Sequence, residues 1–466
     1  MNHPNYTSRR TMLKTAATGF GWMAAQGIMQ RATAQAGGPP TPHFAPKAKR
    51  VIFLMMNGAP SHVDTFDPKP ALAEHEGEPP SKDLMRSAKA GGYMPSPFEF
   101  RQHGESGVVM SELLPNLGKV ADDLCVIRSM HTDEPNHEPG LLMMQSGHRQ
   151  PVRPSLGSWA SYGLGTENEN LPAYVALSPG QPVVGPQLWS NAFLPAQHQG
   201  VGIDTSDLRI EKLIANIRNP HWDLQQQRKQ LDMLQTLNRI HAEQREHEDA
   251  LEAQIKSMEL AFRMQSTANE AFDISREPQY VHDAYGDSVF AQSTLMARRL
   301  VERGVRFVQV FYVDRKNKQP WDTHGDNNNR HRRLCADSDR ASAALLSDLK
   351  QRGLLEDTLV IWGGEFGRTP FAQKDKNKDP KKYGRDHHAS GFSMFLAGGG
   401  VKGGLTFGNT DEFGMNAVED RVHVHDLHAT ILHLLGVDHE RLTYRYSGRD
   451  YRLTDVHGRV VQGIIA

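Results

Sequence analysis

Apolar runs of strand length recur along the chain without polar alternation. The first is residues 51–56, Val-Ile-Phe-Leu-Met-Met, and it ends at Asn57 and Gly58. Runs of this kind are typical of strands covered on both faces, as in a parallel sheet. The other runs lie at 123–128, 305–311, 358–362 and 392–397.

Helical patterns alternate with these runs in the second half of the chain, and each ends at a glycine. Helix, glycine, strand and loop in repetition indicate right-handed crossover units on a parallel sheet. The sequence therefore predicts an α/β fold with a mostly parallel central sheet flanked by helices. The three helical patterns are 293–303 before Gly304, the one through Leu349 before Gly353, and 425–435 before Gly436.

Residues 205–270 differ in character, because they are rich in Gln, Glu, Arg and Leu and contain no proline after Pro220. Four apolar residues in this segment share one helical face. We expect a helical insertion, a pair of helices packed on the domain, with a lid or an oligomer contact as the alternatives. The four residues are Leu251, Ile255, Met258 and Phe262.

The N-terminus has the pattern of an export signal. Arg9 and Arg10 precede a moderately apolar stretch, which ends in the small residues Ala-Thr-Ala-Gln-Ala at 32–36. The paired arginines resemble the twin-arginine signal, so residues 1–36 are predicted to address the chain to the twin-arginine export machinery. The alternative is an amphipathic first helix of the mature fold.

The rest of the chain then divides into a linker at 37–48, rich in glycine and proline, and a folded domain at 49–466. No later stretch reaches the roughly 18 to 20 apolar residues that span a bilayer. We therefore expect a periplasmic or extracellular protein with no transmembrane segment in its mature form.

The formal net charge of −1 argues against a nucleic-acid partner, because no basic excess is present to displace phosphate counterions. Only two cysteines occur, Cys125 and Cys335. They can pair in an oxidising compartment, but the apolar surroundings of Cys125 favour a buried thiol.

Polar residues with metal-binding side chains adjoin four of the predicted strands. Ligands of open α/β sheets bind beyond the carboxyl ends of the strands, so these groups should converge. Clustered carboxylates repel one another unless a cation stabilises them. Taken singly, each group has a plain explanation, such as a turn or an ion pair between Glu365 and Arg368. The groups contain Asn57, His62 and Asp64; Asp322 and His324; Glu365 and Arg368; and His387 and His388.

Four segments together resemble one family. They are 66–70 (Phe-Asp-Pro-Lys-Pro), 321–324 (Trp-Asp-Thr-His), 364–370 (Gly-Glu-Phe-Gly-Arg-Thr-Pro) and 398–404. The resemblance is to the exported, sulfatase-like domain-of-unknown-function 1501 family of the alkaline-phosphatase-like superfamily. It covers residues 48–460 and implies the alkaline-phosphatase-like fold, with a two-metal site that serves phosphate or sulfate ester hydrolysis elsewhere.

The resemblance also implies roles for individual residues. Asp322 and His324 match the ligands of one metal, and His388, or alternatively His387, matches the later histidine of that metal. Glu365 falls where an aspartate holds the second metal.

The chain departs from the family pattern at several of these positions. Phe366 replaces a histidine of the second metal, and Asn57 stands where the first strand should end in Asp, for which Asp64 is the substitute. His137 lies at the position of the nucleophile, so sulfatase chemistry of the cysteine type is not expected. His137 would instead act as a base, ligand or nucleophile substitute, and Arg368 would offer a planar fork to a phosphate or sulfate oxygen.

The resulting hypothesis is a metal-dependent hydrolase with one or two divalent ions (zinc, manganese, calcium or magnesium) and an anionic small-molecule or polysaccharide ester as substrate. An inactive exported binding protein with the same fold is the competing hypothesis. A structural surface protein that assembles through 205–270 is the third. His423 and His425 are either additional ligands or capping residues of the last helix.

Overall fold

In the part of the chain that the structure describes, a nine-stranded central sheet is accompanied by four smaller sheets. The computed structural model describes residues 42–80, 90–214, 223–243, 259, 262–263, 270–374 and 379–466. The predicted signal at 1–36 lies outside these residues and stays a prediction.

The strands of the described residues are β1 (Arg50–Met55), β2 (Ala90–Tyr93), β3 (Phe100–His103), β4 (Val108–Ser111), β5 (Leu124–His131), β6 (Tyr174–Ser178), β7 (Val201–Asp204), β8 (Phe307–Phe311), β9 (Thr358–Gly363), β10 (Gly367–Gln373), β11 (Gly384–His388), β12 (Phe392–Ala397), β13 (Leu405–Phe407), β14 (Asn409–Thr410), β15 (Ala417–Glu419), β16 (Val422–His423), β17 (Tyr444–Tyr446) and β18 (Arg449–Tyr451). The α-helices are α1 (His62–Thr65), α2 (Ala71–Glu74), α3 (His137–Ser146), α4 (Leu156–Leu164), α5 (Ile210–Leu213), α6 (Leu224–Glu243), α7 (Gln279–Tyr285), α8 (Val289–Glu302), α9 (Asn327–Gln351) and α10 (Val424–Leu434).

The central sheet has the order β13-β5-β12-β9-β1-β8-β6-β7, with β16 also paired to β5. Every pairing in it is parallel except the two made by β12, which runs antiparallel to β5 and β9. The predicted α/β architecture with a mostly parallel sheet is therefore confirmed. β1 lies in the middle of the sheet, between β8 and β9, which explains its uninterrupted apolar sequence.

Two hydrophobic cores cover the two faces of this sheet. Ile52 and Leu54 of β1 point into one core, together with residues of α8 and α9. Val51 and Phe53 point into the other, together with residues of α3, α4 and α10. Successive residues of a strand point to opposite faces, so a strand between two cores must be apolar at every position.

The helix ends agree with the sequence pattern. Gly304, Gly353 and Gly436 follow α8, α9 and α10, and each has a positive φ that suits a residue without a Cβ.

Cys125 and Cys335 are both free and buried, one in each core, so the buried-thiol prediction is confirmed. None of the described helices has the length and apolar character needed to cross a membrane.

The structure adds two strands at 165–205 and agrees with the helical insertion at 205–270 as far as the described residues extend. β6 and β7 are strands of the central sheet, although the sequence between 165 and 205 carries no clear strand pattern apart from a short apolar run. Helices α5 and α6 agree with a helical insertion at 205–270, whereas Leu251, Ile255 and Met258 lie outside the described residues.

Candidate metal centre

The candidate site lies at the edge of the sheet where β1, β8 and β9 end. The loop after β8 is fixed from two sides, because Trp321 N donates to Asn57 O (3.1 Å) and Arg385 N donates to Thr323 O (3.0 Å). β10 and β11 form an antiparallel pair beside this loop, in which Arg368 is opposite His387. Four separate segments therefore meet at one point: the start of α3, the loop after β8, the turn after β9, and β11.

Four side chains with ligand atoms converge there, and we call them the His–Asp cluster: His137, Asp322, His324 and His387. Their ligand atoms all lie within 4.8 Å of one another. Oδ1 of Asp322 is 3.0 Å from Nε2 of His324, 3.2 Å from Nε2 of His137 and 3.4 Å from Nε2 of His387. Among the described residues, no other group of three or more such side chains brings its ligand atoms this close together.

Outer contacts orient the cluster. Nδ1 of His137 donates to Oε1 of Glu365 (2.6 Å), and Nδ1 of His324 contacts Oε1 of Gln373. Both rings therefore present Nε2 to the cluster. A hydrogen bond on the far ring nitrogen is how proteins fix the tautomer and direction of a metal-binding histidine.

The charge states of Asp322 and His387 suit a cation, whereas His137 would have to release a proton to bind one. Burial alone would raise the pKa of Asp322, but the contacts from the three histidines and from Arg368 hold that pKa far below its ordinary value. Burial opposes a charge on His137, yet Asp322 and Glu365 raise the pKa of its ring. Burial lowers the pKa of His387, which keeps that ring neutral at pH 7. An anionic carboxylate and a neutral imidazole are the forms that bind metal.

The donor set fits a divalent ion of the zinc or manganese type. Three imidazole nitrogens with one carboxylate oxygen suit these ions better than calcium or magnesium, which prefer oxygen ligands. Nε2 of His137 is buried and has no hydrogen-bond partner, although it is 3.2 Å from the Asp322 carboxylate. A buried polar atom without a partner is unfavourable, and a cation at the cluster would satisfy it.

The cluster is open on one side. The side chains of Asp322, His324 and His387 keep 24%, 35% and 20% of their surface exposed, so a solute can reach them. Glu365 and Arg368 behind them are fully buried.

Three further predicted ligands, Asp64, Glu365 and His388, are not part of the cluster, and Glu365 contacts it only through Nδ1 of His137. Asp64 is buried against Arg385 (Nε to Oδ2 2.8 Å) and accepts from Asn327 as well. Nε2 of His388 bonds to the carbonyl of Met415. Neighbouring residues of a strand face opposite sides, so only one of the two adjacent histidines of β11 can face the cluster. Of the two histidines that the sequence analysis considered, His387 lies in the cluster and His388 does not.

Arg368 has a different place from either of those considered in the sequence analysis. Its Nη2 pairs with Oδ1 of Asp322 (2.7 Å) and also donates to the carbonyl of Gly58, while Nε donates to Ala59 O (3.1 Å). The ion pair is thus with Asp322 and not with Glu365. With no exposed surface, Arg368 positions Asp322 and has no free face for a substrate oxygen.

His423 and His425 belong to a second histidine group, away from the cluster. Their rings are 4.9 Å apart, and they adjoin His131 and His457 at 5.0 and 5.1 Å. His423 caps α10 by accepting from the backbone N–H of His425, so the capping alternative is confirmed for His423. Two residues of the site were not predicted. Gln373 contacts His324 and Gly58 contacts Glu365, but no pattern in the sequence indicates either contact.

Gly58 permits the close approach of the first strand to the site. Its φ is +104°, its N–H donates to Glu365 (3.0 Å), and a Cβ there would lie 2.3 Å from the backbone nitrogen of Asp322. We expect Gly58→Ala to lower the free energy of unfolding by about 1–3 kcal/mol more than Gly180→Ala, because overpacking is added to backbone strain. Gly180 is the matched control, since its φ is +98° but no atom lies within 4 Å of an added Cβ. Urea denaturation measures both, and equal losses would contradict the expectation.

Together, the fold and the site define an α/β protein with a candidate metal centre at the carboxyl edge of its sheet. The chain belongs to the family described as Protein of unknown function (DUF1501), which it matches over residues 48–465. The family expected from the sequence motifs is therefore confirmed. No curated protein matches the chain in sequence.

Solved structures similar to this chain include the PsFucS1 sulfatase from Pseudoalteromonas sp., with 14% identity over 94% of this chain and 75% of that chain and a TM-score of 0.35. The lipoteichoic acid synthase LtaP from Listeria monocytogenes has 11% identity over 94% and 80%, with a TM-score of 0.38. The alkaline phosphatase from the Antarctic bacterium TAB5 has 10% identity over 84% and 98%, with a TM-score of 0.34. The fold of this chain is established by its own sheet topology.

Proposed function

We propose that this chain is an exported, metal-dependent hydrolase of phosphate or sulfate esters and that the His–Asp cluster holds its ion. One observation carries the proposal: three histidines and an aspartate from separate segments bring their ligand atoms within 4.8 Å of one another. The family resemblance and the sulfatases and phosphatases among similar structures support the ester class only as an analogy.

The residues of the site would have different roles in binding the ion. Asp322 and the Nε2 atoms of the histidines would hold the ion, while Glu365 orients His137 through its Nδ1. A divalent ion bound there would polarise an anionic ester and increase the acidity of water. His137 serves in this proposal as a ligand and not as a nucleophile, because its Nε2 lies within the group of ligand atoms.

Water would be the attacking group in this proposal. The position at which related enzymes carry Ser, Thr or Cys is His137, and Nδ1 of that ring is already bonded to the buried Glu365. A covalent ester on a hydroxyl or thiol of the chain at this position is therefore excluded by the residue itself.

Metal content and hydrolysis test the proposal directly. We expect protein purified from the exported fraction of cells to contain a divalent ion and to hydrolyse an aryl phosphate or an aryl sulfate. His324→Ala should lower turnover at least about 100-fold, because it removes one ligand nitrogen. Glu365→Ala should also lower turnover, since it leaves Nδ1 of His137 without its partner. Elemental analysis and a chromogenic assay give the two measurements.

His457→Ala is the matched control, because this histidine is exposed and outside the cluster. Metal-free protein that shows no turnover after addition of zinc or manganese would contradict the proposal. Bound metal without turnover of either ester would favour the binding-protein hypothesis. Retention of the full chain in the cytosol would contradict the export part alone.

A further inference from the structure

Asp64, a predicted ligand that is not part of the His–Asp cluster, is already neutralised by protein groups. Its Oδ2 accepts from Nε of Arg385 (2.8 Å) and from Nδ2 of Asn327 (3.0 Å), and its Oδ1 accepts from Nη2 of Arg385 (3.2 Å). Asp64 and Arg385 have no exposed surface. A cation could bind Asp64 only by displacing a buried guanidinium.

Glu365, the second carboxylate, is also fully engaged. Oε1 accepts from Nδ1 of His137 (2.6 Å) and from Gly58 N (3.0 Å), and Oε2 lies 3.3 Å from the same backbone nitrogen. Arg368 donates to the carbonyls of Gly58 and Ala59, so its positive charge lies at the turn that holds Glu365. Glu365 therefore acts through His137 and is not directed at a separate cation.

Two further positions near these carboxylates are uncharged. Asn57, at the end of β1, is a buried neutral amide, so this strand contributes no carboxylate. Phe366 directly follows Glu365, and its ring centroid lies 4.9 Å from that of His137 and 5.1 Å from that of His387. An apolar ring thus packs against two histidines of the cluster and offers no ligand atom there.

We infer that the centre takes a single divalent ion, because Arg385 already neutralises Asp64 and because Glu365 is held by His137 and the backbone of Gly58. The inference rests on the proposed function, because it concerns the ion of the same cluster. A second divalent ion at Asp64 would meet the buried guanidinium of Arg385 at short range, and like charges in a buried site repel strongly. A second ion at Glu365 would have to displace the hydrogen bond from His137, which belongs to the cluster itself. One ion, held by one carboxylate and three imidazoles, leaves every other buried carboxylate with its present partner.

The number of ions per chain tests the inference. The full chain would be stripped with a chelator and titrated with Mn²⁺ in a calorimeter, and the loaded protein would be examined by electron paramagnetic resonance. We expect one tight equivalent per chain with the spectrum of an isolated ion. Asp322→Asn should abolish this equivalent, which assigns it to the cluster.

The outcomes separate the inference from the proposed function. A pair of magnetically coupled manganese ions, or two tight equivalents that are both lost in Asp322→Asn, would overturn the single-ion inference and leave the hydrolase proposal in place. No tight equivalent with either Mn²⁺ or Zn²⁺ would overturn both. The spectrum is a readout that does not depend on finding the substrate.

Discussion

Asp322→Asn is expected to lower the affinity for a divalent ion by at least about 100-fold and to remove hydrolysis with it. Loss of an outer-sphere partner of a metal site already lowers metal affinity or activity by about 10–100-fold. Asp322 is the only carboxylate of the His–Asp cluster and would contact the ion directly. The substitution also leaves the buried Arg368 without its carboxylate partner. Isothermal titration with zinc and the ester assay measure the two effects on the same preparation.

Asp326→Asn is the matched control for this change. Asp326 lies four residues further on, has a left-handed backbone (φ 53°) that asparagine tolerates well, and uses Oδ1 to accept from Asn329. We expect it to leave ion affinity within about twofold of the unaltered protein, since a charge change outside the cluster acts only through screened solvent. Equal losses in the two variants would show that Asp322 acts by general electrostatics and not as a ligand.

Arg385→Ala is expected to lower the free energy of unfolding by about 3–5 kcal/mol, because it leaves a buried carboxylate without a counter-charge. Both partners of the pair with Asp64 have no exposed side-chain surface. Urea denaturation at pH 7, with folding checked by circular dichroism, measures the change. Arg445→Ala serves as the control, because Arg445 and Asp450 form a pair whose side chains are 62% and 55% exposed. Such surface pairs contribute less than about 1 kcal/mol.

The same pair predicts a dependence on pH. Burial alone would raise the pKa of Asp64, but Arg385 and His331 hold it below the ordinary value of a carboxyl group. A depressed pKa adds stability that is complete above the pKa of the unfolded chain, about 4, and is lost as the pH falls toward the folded value. The difference between the unaltered protein and Arg385→Ala should therefore shrink as the pH falls below about 4. A difference that grew on acidification would contradict this assignment.

The sequence predicted those parts of the fold in which pattern and environment agree. The strand at 51–56 and the helices that end at Gly304, Gly353 and Gly436 were found because burial on two faces and a left-handed cap leave clear marks. β10 was not predicted, since it contains Pro370 and follows a strand after only a short turn. Its pairing with β2 and β11 is a long-range interaction that no local pattern announces.

The sequence predicted which residues contribute to the candidate site better than it predicted how they are arranged. Asp322, His324 and His137 meet as the strand-end argument and the resemblance implied. The ion pair of Asp64 could not be predicted, because its partner, Arg385, is far away in sequence. The choice between His387 and His388 depends on the register of β11, and a shift of one residue would reverse it.

The reversed direction of β12 has a consequence for how the centre is held together. All its neighbours leave the sheet at the edge where the cluster lies, whereas β12 enters the sheet there. His387 is therefore tied by a short connection, residues 389–391, to the beginning of an inner strand, while Asp322 follows the end of another strand. The cluster is thus formed partly by a segment that enters the sheet and partly by one that leaves it. A change in the length of 389–391 would therefore move His387 and leave Asp322 in place.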